Sequence, residues 1–404
     1  MPFKEAWLLI GALLVLIGFA VREPVLGGVG VVIVVVGGMA RLWSRHLFDR
    51  LGVDVALGED HAFAGEAVPV SLTVDNPKLL PMPWLEWRLV VPDGAEAVGE
   101  RLAASAAPGS SWLVRRTALG WYERRRWDTA LTFPARGFYM IGPSSVRSAD
   151  LFGIFPRHAE FETPGAVVVY PQVRPLEELG LPADRPFGEQ PGGSPLFDDP
   201  LRVSGLREYR PGDPLRRVDW KATARSGTMT SRLYEPSATR QLYIALNIDT
   251  LAHSWEGYLR DELELTISVA ASVAHWASEA RFAVGLLANG SYPRSDRPMR
   301  LPPSRAPGQL QRVLEALAVI QPLTMSNLAG TLQRERHQLP AGSTIVCVAS
   351  LVPEELGAVL DRLRDEGHRV ALLATSDRAL AGAPPGIPVH RVGRPFAPLG
   401  AAAR

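Results

Sequence analysis

The densest collection of chemically capable side chains runs Arg207-Glu208-Tyr209-Arg210-Pro211-Gly212-Asp213-Pro214-Leu215-Arg216-Arg217-Val218-Asp219-Trp220-Lys221-Ala222-Thr223-Ala224-Arg225. Arginine presents a planar fork suited to bidentate carboxylate or phosphate, and lysine adds a mobile point charge. Pro211-Gly212 is turn chemistry, Asp213 suits a helix cap, and Pro214 suits the first helical position, where its missing N–H costs nothing. This punctuation predicts a short helix from Pro214. On it Arg216 and Asp219 lie three apart and Arg217 and Lys221 four apart, with Trp220 available for packing or cation stacking. Two roles fit the stretch. Arg207, Tyr209, Asp213, Arg216, Asp219, Trp220, Lys221 and Arg225 can present a docking or ligand site, or they can form a salt-bridged brace with Asp213 as cap and Trp220 in the core.

Other chemistries leave less trace. No G-x-x-x-x-G-K-[ST] phosphate loop occurs, so ATP binding is not expected. The eight histidines are scattered, and without a Cys/His cluster zinc has no ligand set. Cys347 lies in the apolar run Thr344-Ile345-Val346-Cys347-Val348-Ala349, which reads as a core thiol rather than a nucleophile. A net charge of +1 lacks the basic excess of a nucleic-acid binder.

The elements that position these residues fall in order along 404 residues, 47% of them hydrophobic and 21% charged. Ala6 to Val21 and Val25 to Ala40 are apolar runs separated by Arg22-Glu23-Pro24, each somewhat shorter than the roughly 20 residues that span hydrocarbon. Trp7 and Trp43 extend them as interfacial anchors, and residues 1–50 read as a transmembrane hairpin with a basic flank rather than a cleaved signal peptide. Arg41, Arg45 and Arg50 then place both termini and the soluble domains in the cytoplasm. Residues 51–170 alternate with period two between Gly, Pro and Asn turns, the pattern of an antiparallel β-sandwich. Trp84, Trp87, Trp112, Trp121 and Trp127 are expected mainly as its core, and Glu123-Arg124-Arg125-Arg126 as a solvated edge. Residues 171–200 read as a Pro/Gly-rich linker. Residues 201–395 join the charged stretch to strands spaced by helices, which predicts a doubly wound, mostly parallel α/β domain, and residues 396–404 read as a disordered tail.

The pattern R-x-Y-x-x-G-D-x-x-R-x-x-D-W-K-A-T-A-R resembles the signature of the bacterial "domain of unknown function 58" family. Arg136-Gly137-Phe138-Tyr139-Met140-Ile141-Gly142-Pro143 and Asp150-Leu151-Phe152-Gly153-Ile154-Phe155 agree with it, as does the apolar hairpin. The resemblance implies a C-terminal domain similar to von Willebrand factor type A domains, and association with MoxR-type AAA+ ATPases and transglutaminase-like membrane proteins. Such domains can carry a metal site opening with D-x-S-x-S. Here Asp249 matches, but Leu251 and His253 fill the hydroxyl positions and Ser350 stands where a carboxylate is usual, so Mg²⁺ is not expected. Asp249 can equally serve as a turn or capping carboxylate.

Anchor, sandwich, linker and α/β domain suit recognition better than catalysis, and the favoured expectation is a membrane-anchored adaptor engaging an AAA+ ATPase or its substrate. The competing one is a hydrolase acting on an anionic substrate at Arg207–Arg225, with Asp213 or Asp219 as base. A third is a membrane-surface scaffold using Arg124 to Arg126.

Overall fold

The structure is a computed structural model that describes residues 6–163, 165–181, 198–210, 218–236, 241–293, 295, 297–324, 326–340 and 342–393. The chain divides into two compact units, Met1–Tyr170 and Pro171–Arg404.

The first unit opens with α1 (Ala6–Val21) and α2 (Pro24–Arg45). Arg22, at φ 60°, and Glu23, whose N–H reaches Gly18 O at 2.9 Å, close the turn, and Pro24 starts α2 at a position that needs no donor. Glycines let the helices touch. A Cβ on Gly18 would stand 2.4 Å from Gly27 N, and one on Gly37 would enter the ring of Trp7. α2, at 22 residues, is long and apolar enough to cross a membrane; α1 has 16 residues.

Behind them, Ala67–Asn76 buries Val68, Val70, Leu72 and Val74, and Met82–Pro92 buries Leu85, Trp87, Leu89 and Val91. This period of two builds a four-stranded antiparallel sheet in the order Gly52–Leu57, Ala67–Asn76, Glu123–Thr132, Glu96–Ala97. A five-stranded sheet runs Arg157–Phe161, Ser144–Ser148, Met82–Pro92, Ser110–Leu119, Ala103–Ala104, and a smaller one joins His61–Phe63, Gly165–Tyr170 and Gly137–Ile141. Their inner faces share one core, into which Leu47 and Leu51 insert just beyond α2. Of the five tryptophans expected mainly as core, Trp87 is buried with Trp127 edge-on to it at 6.1 Å. Trp112 takes the Arg88 guanidinium at 4.5 Å, whereas Trp84 and Trp121 are exposed, because they fall on outward positions of the pleat or in a turn. Arg124, Arg125 and Arg126 are ion-paired to Asp75, Glu123 and Asp128 at 3.0, 2.6 and 2.9 Å, so neighbouring carboxylates already answer this basic run.

The second unit begins by burying Leu176, Leu179 and Leu181, and Arg174 N donates to Ser272 Oγ at 3.0 Å. Residues 171–181, expected to open the linker, are therefore packed, since three leucines outweigh the prolines around them. A two-stranded antiparallel ribbon follows, Asp198–Glu208 with Thr230–Pro236, enclosing α3 (Trp220–Ser226). The main sheet runs Pro298–Ser304, Ala283–Ser291, Gln241–Asn247, Thr344–Ala349, Arg369–Ala374, Val389–Arg391. All neighbours are parallel except the first pair, and Gln321–Thr324 adds antiparallel to Ala283–Ser291. The central strands are buried on both faces, which their unbroken apolar sequences require. α4 (Arg260–Glu279) and α5 (Gln309–Val319) cover one face. α6 (Leu328–Glu335) and α7 (Glu354–Asp365) cover the other, over Tyr243, Ala245, Ile345 and Cys347, and α8 (Asp377–Ala381) closes the end.

Candidate functional site

The ribbon holds the charged stretch in a conformation that short-range spacing does not predict. Val218 forms a β-bridge with Ser231, Asp219 N donates to Thr230 O at 2.9 Å, and Tyr209 N donates to Met229 O at 2.8 Å. Asp219 is therefore extended, at φ −87° and ψ 92°, and the helix begins at Trp220 with Asp219 as its cap. A helix running from Pro214 through Lys221 is excluded, because long-range pairing takes Val218 and Asp219 out of the helical range. Asp219 accordingly stands outside the helix, as its cap. Asp213 and Arg216 themselves lie outside the described residues.

Asp219 is the hub of this geometry. Its Oδ1 accepts from Lys221 N and Ala222 N, both at 3.0 Å, and its Oδ2 accepts from Arg232 Nε at 2.9 Å. The Ala222 amide, with the Arg232 guanidinium next, holds the carboxyl below its ordinary range. Thr223 Oγ1 accepts from Thr230 N at 3.0 Å, and Gly227, left-handed at φ 70°, ends the helix with its N–H on Thr223 O. Arg207 and Tyr209 are half-buried along the ribbon, with Arg207 Nη1 donating to Glu208 O at 3.1 Å.

The two expected roles meet this geometry differently. Asp219 braces, but Trp220 is 65% exposed, contrary to its expected place in the core under the brace reading, because the first helical residue after the cap points off the ribbon. Lys221 and Arg225, four apart on α3, are exposed, as are Leu206 and Met229. Arg232 was not singled out from sequence. Its role follows from strand pairing, which no local spacing signals.

A second polar cluster lies where the parallel strands end, the usual ligand position in such sheets. Asn289 Nδ2 donates to Asp249 Oδ2 at 2.7 Å and to Asn247 Oδ1 at 2.9 Å, while Asn289 Oδ1 accepts from Ile248 N at 2.9 Å. Asn247 Nδ2 reaches Leu351 O at 2.8 Å, and Ser350 Oγ donates to Asp249 O at 3.3 Å. Thr250 Oγ1 accepts from Leu259 N at 2.8 Å, and His253 stacks on Trp255 at 4.2 Å. An amide N–H thus faces Asp249. Asn247 and Asn289 escaped the sequence reading because polar residues within an apolar strand look like its edge. Among the described residues, no group of three or more His, Cys, Asp or Glu could hold a metal ion.

An apolar helix pair, a β-sandwich unit and an α/β unit entered through a charged ribbon define the class. Residues 205–385 match the family model described as "Protein of unknown function DUF58", the family whose signature Arg207–Arg225 resembles. The chain is similar to "Uncharacterized protein YeaD" of Bacillus subtilis (strain 168), 25% identical over 228 residues, 56% of this chain and 53% of that protein. It thus spans about half the length of this curated relative. Solved structures similar to it include the CARDB domain of PF1109 from Pyrococcus furiosus (15% identity, 30% of this chain and 91% of that one, TM-score 0.20). Another is a non-cellulosomal cohesin from Archaeoglobus fulgidus (9%, 30% and 90%, TM-score 0.20). Likenesses this slight carry no argument.

Proposed function

We propose that the chain is a membrane-anchored, non-enzymatic adaptor whose α3 ribbon docks a protein partner. α1 and α2 form a two-pass anchor in a bacterial cytoplasmic membrane, with both termini and the soluble units on the cytoplasmic side, as Arg41, Arg45 and Arg50 after α2 favour. The α/β unit is von Willebrand factor type A-like. Supporting this are a mostly parallel sheet with two short antiparallel strands paired to Ala283–Ser291, helices on both faces, and Asp249 just beyond a central strand. Mg²⁺ is not part of the reading, since Asn289 offers Asp249 a donor where a cation would need oxygen ligands.

The observation that carries docking is Trp220: a large aromatic held out to solvent on a helix whose base Asp219 locks, flanked by Lys221 and Arg225. Exposed aromatic and cationic side chains on a preorganised base are what interface hot spots use. The partner expected from family resemblance is a MoxR-type AAA+ ATPase or its substrate, with a transglutaminase-like membrane protein as a further associate. Hydrolysis with Asp219 as base fits less well, because both carboxylate oxygens are engaged and its basicity is lowered.

The test is affinity purification of the detergent-solubilised chain after mild cross-linking, with and without ATP. Wild type should recover an AAA+ ATPase, and Trp220→Ala should lose it while keeping wild-type amide protection in the ribbon. Failure of the folded wild type to recover an ATPase in either condition would contradict the proposal.

A further inference from the structure

The motif Asp150-Leu151-Phe152-Gly153-Ile154-Phe155 has no part in the proposed docking. Asp150 is fully buried. Its Oδ1 accepts from Phe152 N at 2.9 Å, its Oδ2 accepts from Phe155 N at 2.6 Å, and its carbonyl accepts from Gly153 N at 3.0 Å, with Gly153 left-handed at φ 71°. One carboxylate therefore fixes the shape of the loop.

Phe155 faces inward and pins the loop to the anchor. Its ring lies edge-on to Trp7 at 6.1 Å and beneath the Arg41 guanidinium at 5.5 Å, and its carbonyl accepts from Ser44 Oγ at 3.2 Å. Trp7 stands near the start of α1, and Arg41 and Ser44 follow the apolar run of α2, so these contacts set the loop level with the helix ends. The remaining large side chains point the other way: Leu151, Phe152 and Ile154 are 57%, 52% and 48% exposed. Three such neighbours on a rigid loop are what a water-facing surface avoids. Arg157, exposed beside them, donates to Ser44 O at 3.3 Å, and Arg45 is exposed at the same helix end.

We propose that this loop is a membrane wedge: Leu151, Phe152 and Ile154 enter the interfacial layer of the bilayer beside the ends of α1 and α2, with Arg45 and Arg157 meeting anionic headgroups. The proposal rests on the membrane reading of α1 and α2 and deepens it, since a wedge would fix the sandwich against the lipid surface. Apolar burial supplies the attraction, and the basic side chains add electrostatic attraction to an anionic surface. Because Asp150 already orders the loop, insertion costs little conformational entropy.

Phe152→Cys in the full-length chain, labelled with an environment-sensitive fluorophore and reconstituted in phosphatidylcholine–phosphatidylglycerol vesicles, tests this. Cys347 is buried and does not compete for label. Companion labels are placed at Val35→Cys on the outer surface of α2 and at Ala106→Cys, next to the edge strand Ala103–Ala104 opposite Arg157–Phe161. The expected result is loss of Phe152-site fluorescence with nitroxides near the headgroup, loss at Val35 with nitroxides near the bilayer centre, and no loss at Ala106. Quenching at Val35 without quenching at 152 overturns the wedge and leaves the anchor standing; a blue-shifted but unquenched label at 152 assigns the loop to a protein contact instead and equally overturns it. No quenching at Val35 removes the anchor and the wedge together.

Discussion

Asn289 makes three bonds with one side chain: to Asp249, to Asn247 and to the amide of Ile248. Asn289→Ala removes the side-chain acceptor of the buried Ile248 amide, at a cost of about 1–3 kcal/mol. The expected outcome is faster amide exchange along Gln241–Asn247, with the sandwich unaffected. Asp219 makes a prediction with a sign. Its pKa is lowered in the folded chain, so the unfolded state binds more protons below neutrality; its support for α3 is present above the ordinary carboxylate range and lost as pH falls through the lowered value. Protection of the Lys221 and Ala222 amides should follow that course in wild type and be absent throughout in Asp219→Ala. Burial pushes the Cys347 thiol up to about 12, so it should resist iodoacetamide in the native chain and react only in denaturant.

At the level of elements, the glycines of α1 and α2 carry the clearest prediction. Gly18→Ala places a methyl 2.4 Å from Gly27 N, where only backbone can yield, and should cost the helix pair about 1–3 kcal/mol, read as a lower melting temperature in detergent. Gly28→Ala, with open space around it, is the silent control. What was legible in the sequence tracks how local the cause is. The strand at Thr344–Ala349 was visible because burial on both faces demands an unbroken apolar run. Pro298–Ser304 was not, because three prolines argue against a strand unless it lies at an edge, as this one does. The start of α3 was misplaced because Val218 and Asp219 answer to Ser231 and Thr230 across the ribbon rather than to their neighbours. Likewise the residues of the Asp150 motif were visible, but the direction of each side chain depends on two backbone bonds to one carboxylate.

In the whole molecule an apolar helix pair precedes two folded units, and the proposed docking falls on a polar ribbon where bracing and exposure belong to different residues. Asp219 keeps the ribbon in shape, and Trp220 is free of that duty. This separation makes docking testable without disturbing the fold. The most direct measurement is site-specific photocross-linking in living cells, with a benzophenone amino acid at position 220 of the full-length chain and a matched probe at exposed Trp121. The account predicts a cross-link from position 220 to an AAA+ ATPase subunit, identified by mass spectrometry, and none from 121. A properly folded and expressed chain that cross-links to no protein from position 220, or equally from both positions, would contradict it.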